Sequence, residues 1–232
     1  AVKYHHLEQS LELLKNFIDE NTIIVSLMNG IDSEIIIGEK YGIEHLVHAF
    51  VIGIDAVREQ NILNFEANGT IIFGNENGKE DSKTDFIKNL FNDTGIDYKL
   101  SDEILKKLWW KFMVNVGINQ VSSILNAPYG VFVKCKEATN LMEEAMKEVI
   151  ELSKAMNVNL EDSAIDEFKV FLNKLKPEGI TSMLQDVKAK RKTEVEMLSG
   201  KVIEFGKRYN VETPINDYLF KMLKTIEFIN KV

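Results

Sequence analysis

The periodicity of the sequence changes near Ser101, and this change limits the folds open to the chain. Before Ser101, short β-branched and apolar runs alternate with segments whose apolar residues have helical spacing; after it, nearly every segment has helical periodicity. Helices and strands in alternation are typical of an α/β domain with a mixed sheet. The sequence therefore predicts an α/β domain over residues 1–100 and an all-helical domain over residues 101–232.

Apolar spacing, breakers and turn residues give bounds for the individual elements. The first domain is predicted to have helices over 6–19, 33–42 and 85–92 and strands over 22–28, 45–57, 61–73 and 97–100, with turns near 58–60 and at Asn68-Gly69. The second domain is predicted to have helices over 102–125, 136–156, 163–175, 182–189, 194–209 and 215–229.

Composition excludes some classes of function. A formal net charge of −8 argues against nucleic-acid binding, which needs a basic surface, but it is compatible with one phosphate-bearing cofactor. The single cysteine, Cys135, closes no internal disulfide and fits a reducing, cytoplasmic compartment. No apolar run approaches the roughly 20 residues that cross a bilayer. Ala1-Val2-Lys3 has the pattern of a strand end, so the chain is expected to lack its beginning.

A polar stripe marks the predicted helix that begins at residue 102. Lys111, Asn115 and Asn119 are spaced by four and share one helical face, with Ser122 or Ser123 one turn further on. A solvated face is the simplest interpretation of such spacing. However, the rest of the helix is apolar nearly all round, which is typical of a buried helix. Two amides and a lysine on a buried helix need partners, and a cleft that holds a polar ligand would supply them.

Other polar segments have a structural interpretation beside a functional one. Thr181 or Ser182 is expected to cap a helix, and Thr193 the next one, with Glu194 in its first turn. Asn29-Gly30 follows a predicted strand. The dipeptide is interpreted either as an ordinary turn or as part of a ligand site at the carboxyl end of a parallel strand. His5 and His6 have no Cys or acid at ligand spacing, so no metal site is assigned.

Taken together and in order, four segments resemble the 2-dehydropantoate 2-reductases, also called ketopantoate reductases. They are Met28-Asn29-Gly30, Leu108-Trp109-Trp110-Lys111-Phe112-Met113-Val114-Asn115 with Asn119, Ser182-Met183-Leu184-Gln185-Asp186, and Lys192-Thr193-Glu194-Val195-Glu196. The resemblance extends from Ala1 to about Ile229. The lysine helix and the Ser-Met-Leu-Gln-Asp stretch are its specific parts, whereas Asn-Gly is commonplace.

The resemblance implies a Rossmann-like domain, incomplete here, followed by an all-helical domain, with the active site in the cleft between them. It implies reduction of the ketone of 2-dehydropantoate to (R)-pantoate by NADPH, a step toward pantothenate and coenzyme A. A homodimer is also expected. Lys111 matches the family's catalytic lysine, and Glu194 matches an acid that holds the substrate hydroxyl and lies at the cofactor.

The resemblance assigns binding roles as well. Asn115, Asn119 and Ser182 match substrate-binding positions. Asn29 matches an asparagine near the nicotinamide, where it also adjoins the substrate, and Lys3 matches a lysine on the cofactor side. Amides and a hydroxyl suit a carboxylate substrate because they bind it without adding charge of their own.

The sequence also departs from the family pattern. It has neither the glycine-rich fingerprint after the first strand nor a basic residue that would select NADPH over NADH, so this chain alone is expected to bind NADPH poorly. His6 replaces a glutamine near the cofactor, and Tyr129, Gly179 and Ser199 replace asparagines near the substrate. These changes leave two alternatives open: a related 2-oxo acid reductase of the same fold, or a catalytically inactive helical module for binding or dimerisation.

Overall fold

The computed structural model describes residues 1–59 and 61–232 and, among these, all side chains except those of 55–59, 63 and 66. The chain forms two compact units, Ala1–Leu108 and Trp109–Val232. The predicted boundary, near Ser101, lies a few residues earlier. The first unit extends further because Ile104 and Leu108 pack with Phe50 and Ile72 in one buried cluster.

A mixed four-stranded sheet organises the first unit. Its strands are β1 (Ile24–Val25), β2 (Leu46–Glu59), β3 (Ile62–Gly74) and β4 (Tyr98–Leu100), in the order β1-β2-β3-β4. β1 is parallel to β2, β2 is antiparallel to β3, and β3 is parallel to β4. The mixed sheet that the alternating pattern predicted is therefore confirmed.

The turn predicted at Asn68-Gly69 is wrong. β3 continues through both residues, and Asn68 pairs with Ile54 on β2. Asn-Gly favours a turn by its local preference, whereas the long antiparallel pairing with β2 continues past the dipeptide, with Gly69 at a φ of 74°. The other predicted turn, near residues 58–60, includes Gln60, which lies outside the described residues.

Helices cover both faces of this sheet. α1 (Leu7–Leu14), with a 3₁₀ turn on either side, and α2 (Ser33–Tyr41) pack with Leu46. α3 (Ser82–Thr94) packs with Val47 through Ile87 and Phe91. Successive strand residues point to opposite faces, so Leu46 and Val47 each anchor one helical layer. A capping box between Asp81 and Thr84 starts α3 three residues before the predicted bound.

The second unit is entirely helical. Its elements are α4 (Ile104–Val114, which begins in the first unit), a first π turn (Asn115–Asn119), α5 (Gln120–Leu125), α6 (Val131–Lys134), α7 (Lys136–Ala155), α8 (Ser163–Leu172), α9 (Ser182–Lys188), a second π turn (Glu196–Gly200), α10 (Lys201–Tyr209) and α11 (Pro214–Asn230). The predicted fold class, a Rossmann-like α/β part followed by an all-helical part, is confirmed. Within the described residues, the helices are all too short or too polar to cross a membrane.

α7 is the central helix of the second unit. Its inner face, including Met142, Met146, Val149 and Ile150, is fully buried. Gly117, in the first π turn, faces this helix so closely that a Cβ atom there would lie 2.5 Å from Cγ of Met146. The absence of a side chain at Gly117 therefore allows α7 to approach the first π turn closely.

Candidate active site

The helix that carries Lys111 contains a π turn that was not predicted from the sequence. α4 ends at Val114, residues 115–119 form the π turn, and α5 continues the helix from Gln120. Nδ2 of Asn119 lies 3.5 Å from Oδ1 of Asn115, so the predicted polar stripe does bring these two amides together. Single π turns inside α-helices often occur at functional sites because they displace the side chains that follow.

The surroundings of this stripe are apolar, as its composition predicted. Lys111 is half-buried in the last turn of α4, and the neighbouring Phe112 and Met113 are completely buried. Trp109 is buried too, and Nε1 of Trp110 donates to the carbonyl oxygen of Ala164 at 3.3 Å. Both tryptophans therefore contribute to the packing of the helix against its neighbours. The stripe of Lys111, Asn115 and Asn119 is the polar part of an otherwise apolar helix.

The serines one turn further along have structural partners. Oγ of Ser123 donates to the carbonyl oxygen of Asn119 at 2.7 Å, which places a hydrogen bond across the end of the π turn. Oγ of Ser122 donates to the carbonyl oxygen of Ala127 at 2.7 Å and accepts from Oγ1 of Thr181 at 3.3 Å. The contact with Thr181 joins α5 to the N-cap residue of α9.

Ser182 begins α9 and is exposed to solvent. Thr181 is the N-cap, and its hydroxyl accepts from the backbone N–H of Leu184 at 3.2 Å. The predicted capping role thus belongs to Thr181, which leaves the hydroxyl of Ser182 outside that interaction. α9 contacts both α5 and the first π turn, so Ser182 is carried by an element that packs beside Asn115 and Asn119.

Glu194 lies in a short structured segment before the second π turn. It is half-buried, and its carbonyl oxygen accepts from the backbone N–H groups of Met197 and Leu198, each at 3.1 Å. Thr193 does not occupy the N-cap position, which is Val195. Its hydroxyl accepts from the backbone N–H of Val195 at 3.4 Å, and its own N–H and hydroxyl both donate to Oε1 of Glu227, at 2.9 and 2.7 Å. The helix begins two residues after Glu194, at Glu196.

A buried polar network, which the sequence analysis missed, joins the two π turns. The hydroxyl of Ser199, in the second π turn, donates to Oε1 of Gln120, the residue directly after the first. Nε2 of Gln120 donates to the carbonyl oxygen of Val116 at 2.7 Å and to Oδ1 of Asn216 at 3.2 Å. Gln120, Ser199 and Asn216 are completely buried. A glutamine within an otherwise apolar helix was the signal that could have revealed this network.

Glu148 extends the network to the start of α11. Its carboxylate accepts from the backbone N–H groups of Ile215 and Asn216 at 2.7 and 2.9 Å and from Nδ2 of Asn216 at 2.7 Å. It thereby satisfies helix N-terminal donors that would otherwise be left without partners. Burial raises the pKa of the Glu148 carboxyl, and the hydrogen bonds from Asn216 and Ile215 offset only part of that rise.

The remaining predicted residues, Lys3 and Asn29, belong to the first unit. Asn29 is half-buried after β1, and Gly30 beside it has a φ of 98°, which permits the turn into α2. Lys3 is exposed and directly precedes Tyr4, whose hydroxyl donates to Oδ2 of Asp32 at 2.8 Å. Lys111, Asn115, Asn119, Ser182 and Glu194 all belong to the second unit.

The turn after β1 has a distinct donor and acceptor chemistry. The hydroxyls of Ser26 and Ser33 lie 2.8 Å apart, and Ser33 donates to Oε2 of Glu34 at 2.7 Å. Asp32 and Glu34 are buried carboxylates at the start of α2. These acids disfavour a phosphate at this turn, whereas they suit the hydroxyl or amide groups of a nucleotide cofactor.

Comparison with known protein families decides the classification. Residues 103–227 match the model for the C-terminal part of ketopantoate reductase PanE/ApbA, and residues 1–78 match the model for ketopantoate reductase PanE/ApbA. The chain is also 31% identical to the 2-dehydropantoate 2-reductase of Aquifex aeolicus, across 99% of this chain and 76% of that protein. The chain belongs to the ketopantoate reductase family.

Solved structures of this family and beyond share the fold. The dimeric ketopantoate reductase from Staphylococcus aureus superimposes with a TM-score of 0.85 at 21% identity, covering 99% of this chain and 77% of that one. D-mandelate dehydrogenase in its ternary structure with NADH and anilino(oxo)acetate superimposes with a TM-score of 0.90 at 23% identity, covering 100% of this chain and 76% of that one. Membership of the ketopantoate reductase family rests on the sequence matches. The two solved structures show that the chain shares their fold.

Proposed function

We propose that this member of the ketopantoate reductase family reduces 2-dehydropantoate to (R)-pantoate, the step that leads toward pantothenate and coenzyme A. The observation that carries the proposal is the stripe of Lys111, Asn115 and Asn119 on an otherwise buried helix, with α9 and the second π turn both packed against its π turn. α9 begins with Ser182, and the second π turn begins two residues after Glu194. The family match supports a reductase that uses these residues.

Lys111 is assigned as the general acid. When bound, a reduced nicotinamide would supply the hydride for the ketone carbon, and negative charge would develop on the ketone oxygen. An ammonium group within hydrogen-bond distance of that oxygen stabilises the charge and donates the proton that completes the hydroxyl. Lys111 is itself half-buried, and partial exclusion of water strengthens such an interaction.

The other polar groups hold the substrate. Asn115, Asn119 and Ser182 donate hydrogen bonds to its carboxylate, since amides and hydroxyls can bind an anion without becoming charged. Glu194 accepts a hydrogen bond from a substrate hydroxyl and adjoins the cofactor. Together these contacts orient the ketone for hydride transfer, which is where positioning contributes most to the rate.

The cofactor is assigned as NADPH. The buried acids and hydroxyls at the turn after β1 suit its amide and ribose hydroxyl groups. Following the family resemblance, we assign Asn29 to the nicotinamide end and Lys3 to the phosphate side. A homodimer is proposed as the assembly, in line with the dimeric ketopantoate reductase from Staphylococcus aureus. Sedimentation at two protein concentrations tests the dimer, and a mass equal to one chain would contradict it.

A second function, reduction of a different 2-oxo acid, is favoured by one observation. Tyr129 and Gly179, which replace asparagines of the family pattern, contact each other: N–H of Tyr129 donates to the carbonyl oxygen of Gly179 at 2.9 Å. A Cβ atom on Gly179 would lie 3.0 Å from the Tyr129 ring, so the two replacements fit as a pair. The ring of Tyr129, beside Gly179 in the segment before α9, suits a more apolar substrate side chain than that of 2-dehydropantoate.

Steady-state kinetics separates the two functions. The rate of nicotinamide oxidation is measured with 2-dehydropantoate and with a panel of aliphatic and aromatic 2-oxo acids, each with NADPH and with NADH. The proposed function predicts the highest kcat/KM for 2-dehydropantoate with NADPH. A higher kcat/KM for an aromatic 2-oxo acid would transfer the assignment to the second function. No turnover of any 2-oxo acid, in a preparation shown to bind the reduced nicotinamide, would refute both.

A further inference from the structure

Glu227, a residue on α11, holds the backbone directly before Glu194. It is only 3% exposed. Its Oε1 accepts both the N–H and the hydroxyl of Thr193, at 2.9 and 2.7 Å, and its Oε2 accepts from Nζ of Lys224 at 2.6 Å. Both carboxylate oxygens therefore have hydrogen-bond donors, which is what a buried acid requires.

Lys224 extends this arrangement to the residues after Glu194. Its Nζ also donates to Oε1 of Glu196 at 2.6 Å, so one ammonium group bridges a buried acid and the first residue of the second π turn. Glu227 and Lys224 thus contact positions 193 and 196, on either side of Glu194. The carbonyl oxygen of Glu194 is itself bound by Met197 and Leu198. The backbone of Glu194 is consequently fixed from both directions.

Glu227 is held as an anion. Burial raises the pKa of its carboxyl, but the hydrogen bonds from Lys224 and Thr193 outweigh that effect, and the pKa lies below its usual value. Charge-assisted hydrogen bonds are shorter and stronger than neutral ones, so an anion holds Thr193 more firmly than an amide would. Lys221 and Asp217 on the same helix form an ion pair too, but that pair lies largely in solvent, where such an interaction contributes little.

We propose that Glu227 is a positioning residue for the reaction, which acts by fixing the segment that presents Glu194 to the substrate. The inference rests on the proposed role of Glu194. Glu227 contacts Thr193 and Lys224. It affects the rate indirectly, because these contacts fix the position of Glu194. Errors of about 1 Å in such geometry can lower a rate by about 100-fold.

The variant Glu227→Gln tests this inference. It keeps the size of the side chain, but it removes the charge and turns an amide N–H₂ toward either Lys224 or Thr193, both of which are donors. We expect kcat for 2-oxo acid reduction to fall by about 10- to 100-fold. KM for the oxo acid should change much less, because Asn115, Asn119 and Ser182 still bind it. Asp217→Asn is the matched control, since it removes a carboxylate and an ion pair from the same helix at the surface.

A purely structural role predicts a different result. Glu227→Gln would then lower Tm but retain the wild-type kcat at temperatures well below that Tm, and this outcome would overturn the inference. Thr193→Val provides a second, milder test, because it removes one of the two hydrogen bonds to Oε1 and should lower kcat by a smaller factor. Wild-type kcat in this variant would also count against the inference.

Glu194→Gln, measured in parallel, separates the inference from the proposed function. Loss of activity in Glu194→Gln together with a lowered kcat in Glu227→Gln supports both. Loss of activity in Glu194→Gln with wild-type kcat in Glu227→Gln overturns the positioning role alone. Full activity in Glu194→Gln removes the assigned role of Glu194, and the positioning role is refuted with it.

Discussion

The hydroxyl of Ser199 donates a hydrogen bond to Oε1 of Gln120, and this contact joins the two π turns of the helical unit. One π turn contains Asn115 and Asn119, and the other directly follows the segment of Glu194. The bond between them is completely buried, so it is strong and leaves little freedom for the two turns to shift against each other. The amides proposed to bind substrate and the segment of the proposed acid are therefore linked by one buried contact.

Ser199→Ala should destabilise the protein by about 1–3 kcal/mol, because it leaves a buried amide oxygen without a donor. The free energy of unfolding is measured by urea titration. Gln120→Leu and the double variant complete a cycle, in which we expect a coupling energy of about 0.5–3 kcal/mol. Ser163→Ala, at an exposed serine of α8, is the control and should change stability by less than about 0.5 kcal/mol. Strictly additive effects would contradict the coupling.

Gly117→Ala should also destabilise the protein, although alanine ordinarily favours a helix by up to about 1 kcal/mol over glycine. The added Cβ would lie 2.5 and 2.6 Å from Cγ and Cε of Met146 and 3.1 Å from the carbonyl oxygen of Met142. Overpacking of this kind costs about 1–3 kcal/mol, so the overpacking dominates. Urea titration measures the change.

Gly200→Ala is the matched control for that variant. A Cβ atom on Gly200 would have its nearest neighbour at 3.5 Å, an ordinary contact, so the helix preference of alanine should make this variant as stable as the wild type or more so. If Gly117→Ala proved as stable as Gly200→Ala, the close approach of α7 to the first π turn would be wrong.

Most helices could be predicted from sequence because their signals are local. The bounds of α7, predicted as 136–156 and observed as Lys136–Ala155, follow from apolar periodicity alone. The π turn at residues 115–119 could not be predicted in this way, since it depends on how the helix packs against α7. The turn at Asn68-Gly69 failed for a related reason: long-range strand pairing outweighed a local preference.

The candidate site was predictable only in part. Lys111, Asn115 and Asn119 are recognisable because three polar residues interrupt an apolar helix at regular spacing. Glu227 and Asn216 lie far along the chain from their partners, on an amphipathic helix where acids and amides are common. Their roles depend on contacts between distant residues, which one sequence does not reveal.

Glu148 should give the stability a pH dependence of predictable sign. Its pKa is raised in the folded protein above the ordinary 4.5. The charged form of this carboxyl is therefore less stable in the folded protein than in the unfolded chain. The stability that it contributes is complete below about pH 4.5 and declines as the pH rises through the folded value. The unfolding free energy of the wild type minus that of Glu148→Gln should therefore fall as the pH rises above 4.5.

Glu151→Gln, on the exposed side of the same helix, is the matched control for that comparison. The effects of carboxyls that do not interact with Glu148 cancel in the difference. A difference that grows as the pH rises would contradict the raised pKa of Glu148.

Asn115→Asp should raise KM for the oxo acid by about 10- to 100-fold, which corresponds to about 1.4–2.7 kcal/mol. The new carboxylate would face the carboxylate of the substrate, and like charges repel. Initial rates over a range of oxo-acid concentrations give KM and kcat separately. Asn140→Asp, an exposed position on α7, adds the same charge away from the site and should leave KM unchanged. Equal KM values for both variants would remove Asn115 from the substrate site.

The central claim is that Lys111 delivers a proton to the ketone oxygen, and the turnover of Lys111→Ala with NADPH and 2-dehydropantoate tests it most directly. General acid catalysis contributes about 100- to 10,000-fold, so kcat should fall by that factor. Lys107→Ala, an exposed lysine one turn earlier on α4, should keep the wild-type rate. A folded Lys111→Ala variant that turns over as fast as Lys107→Ala would contradict the account.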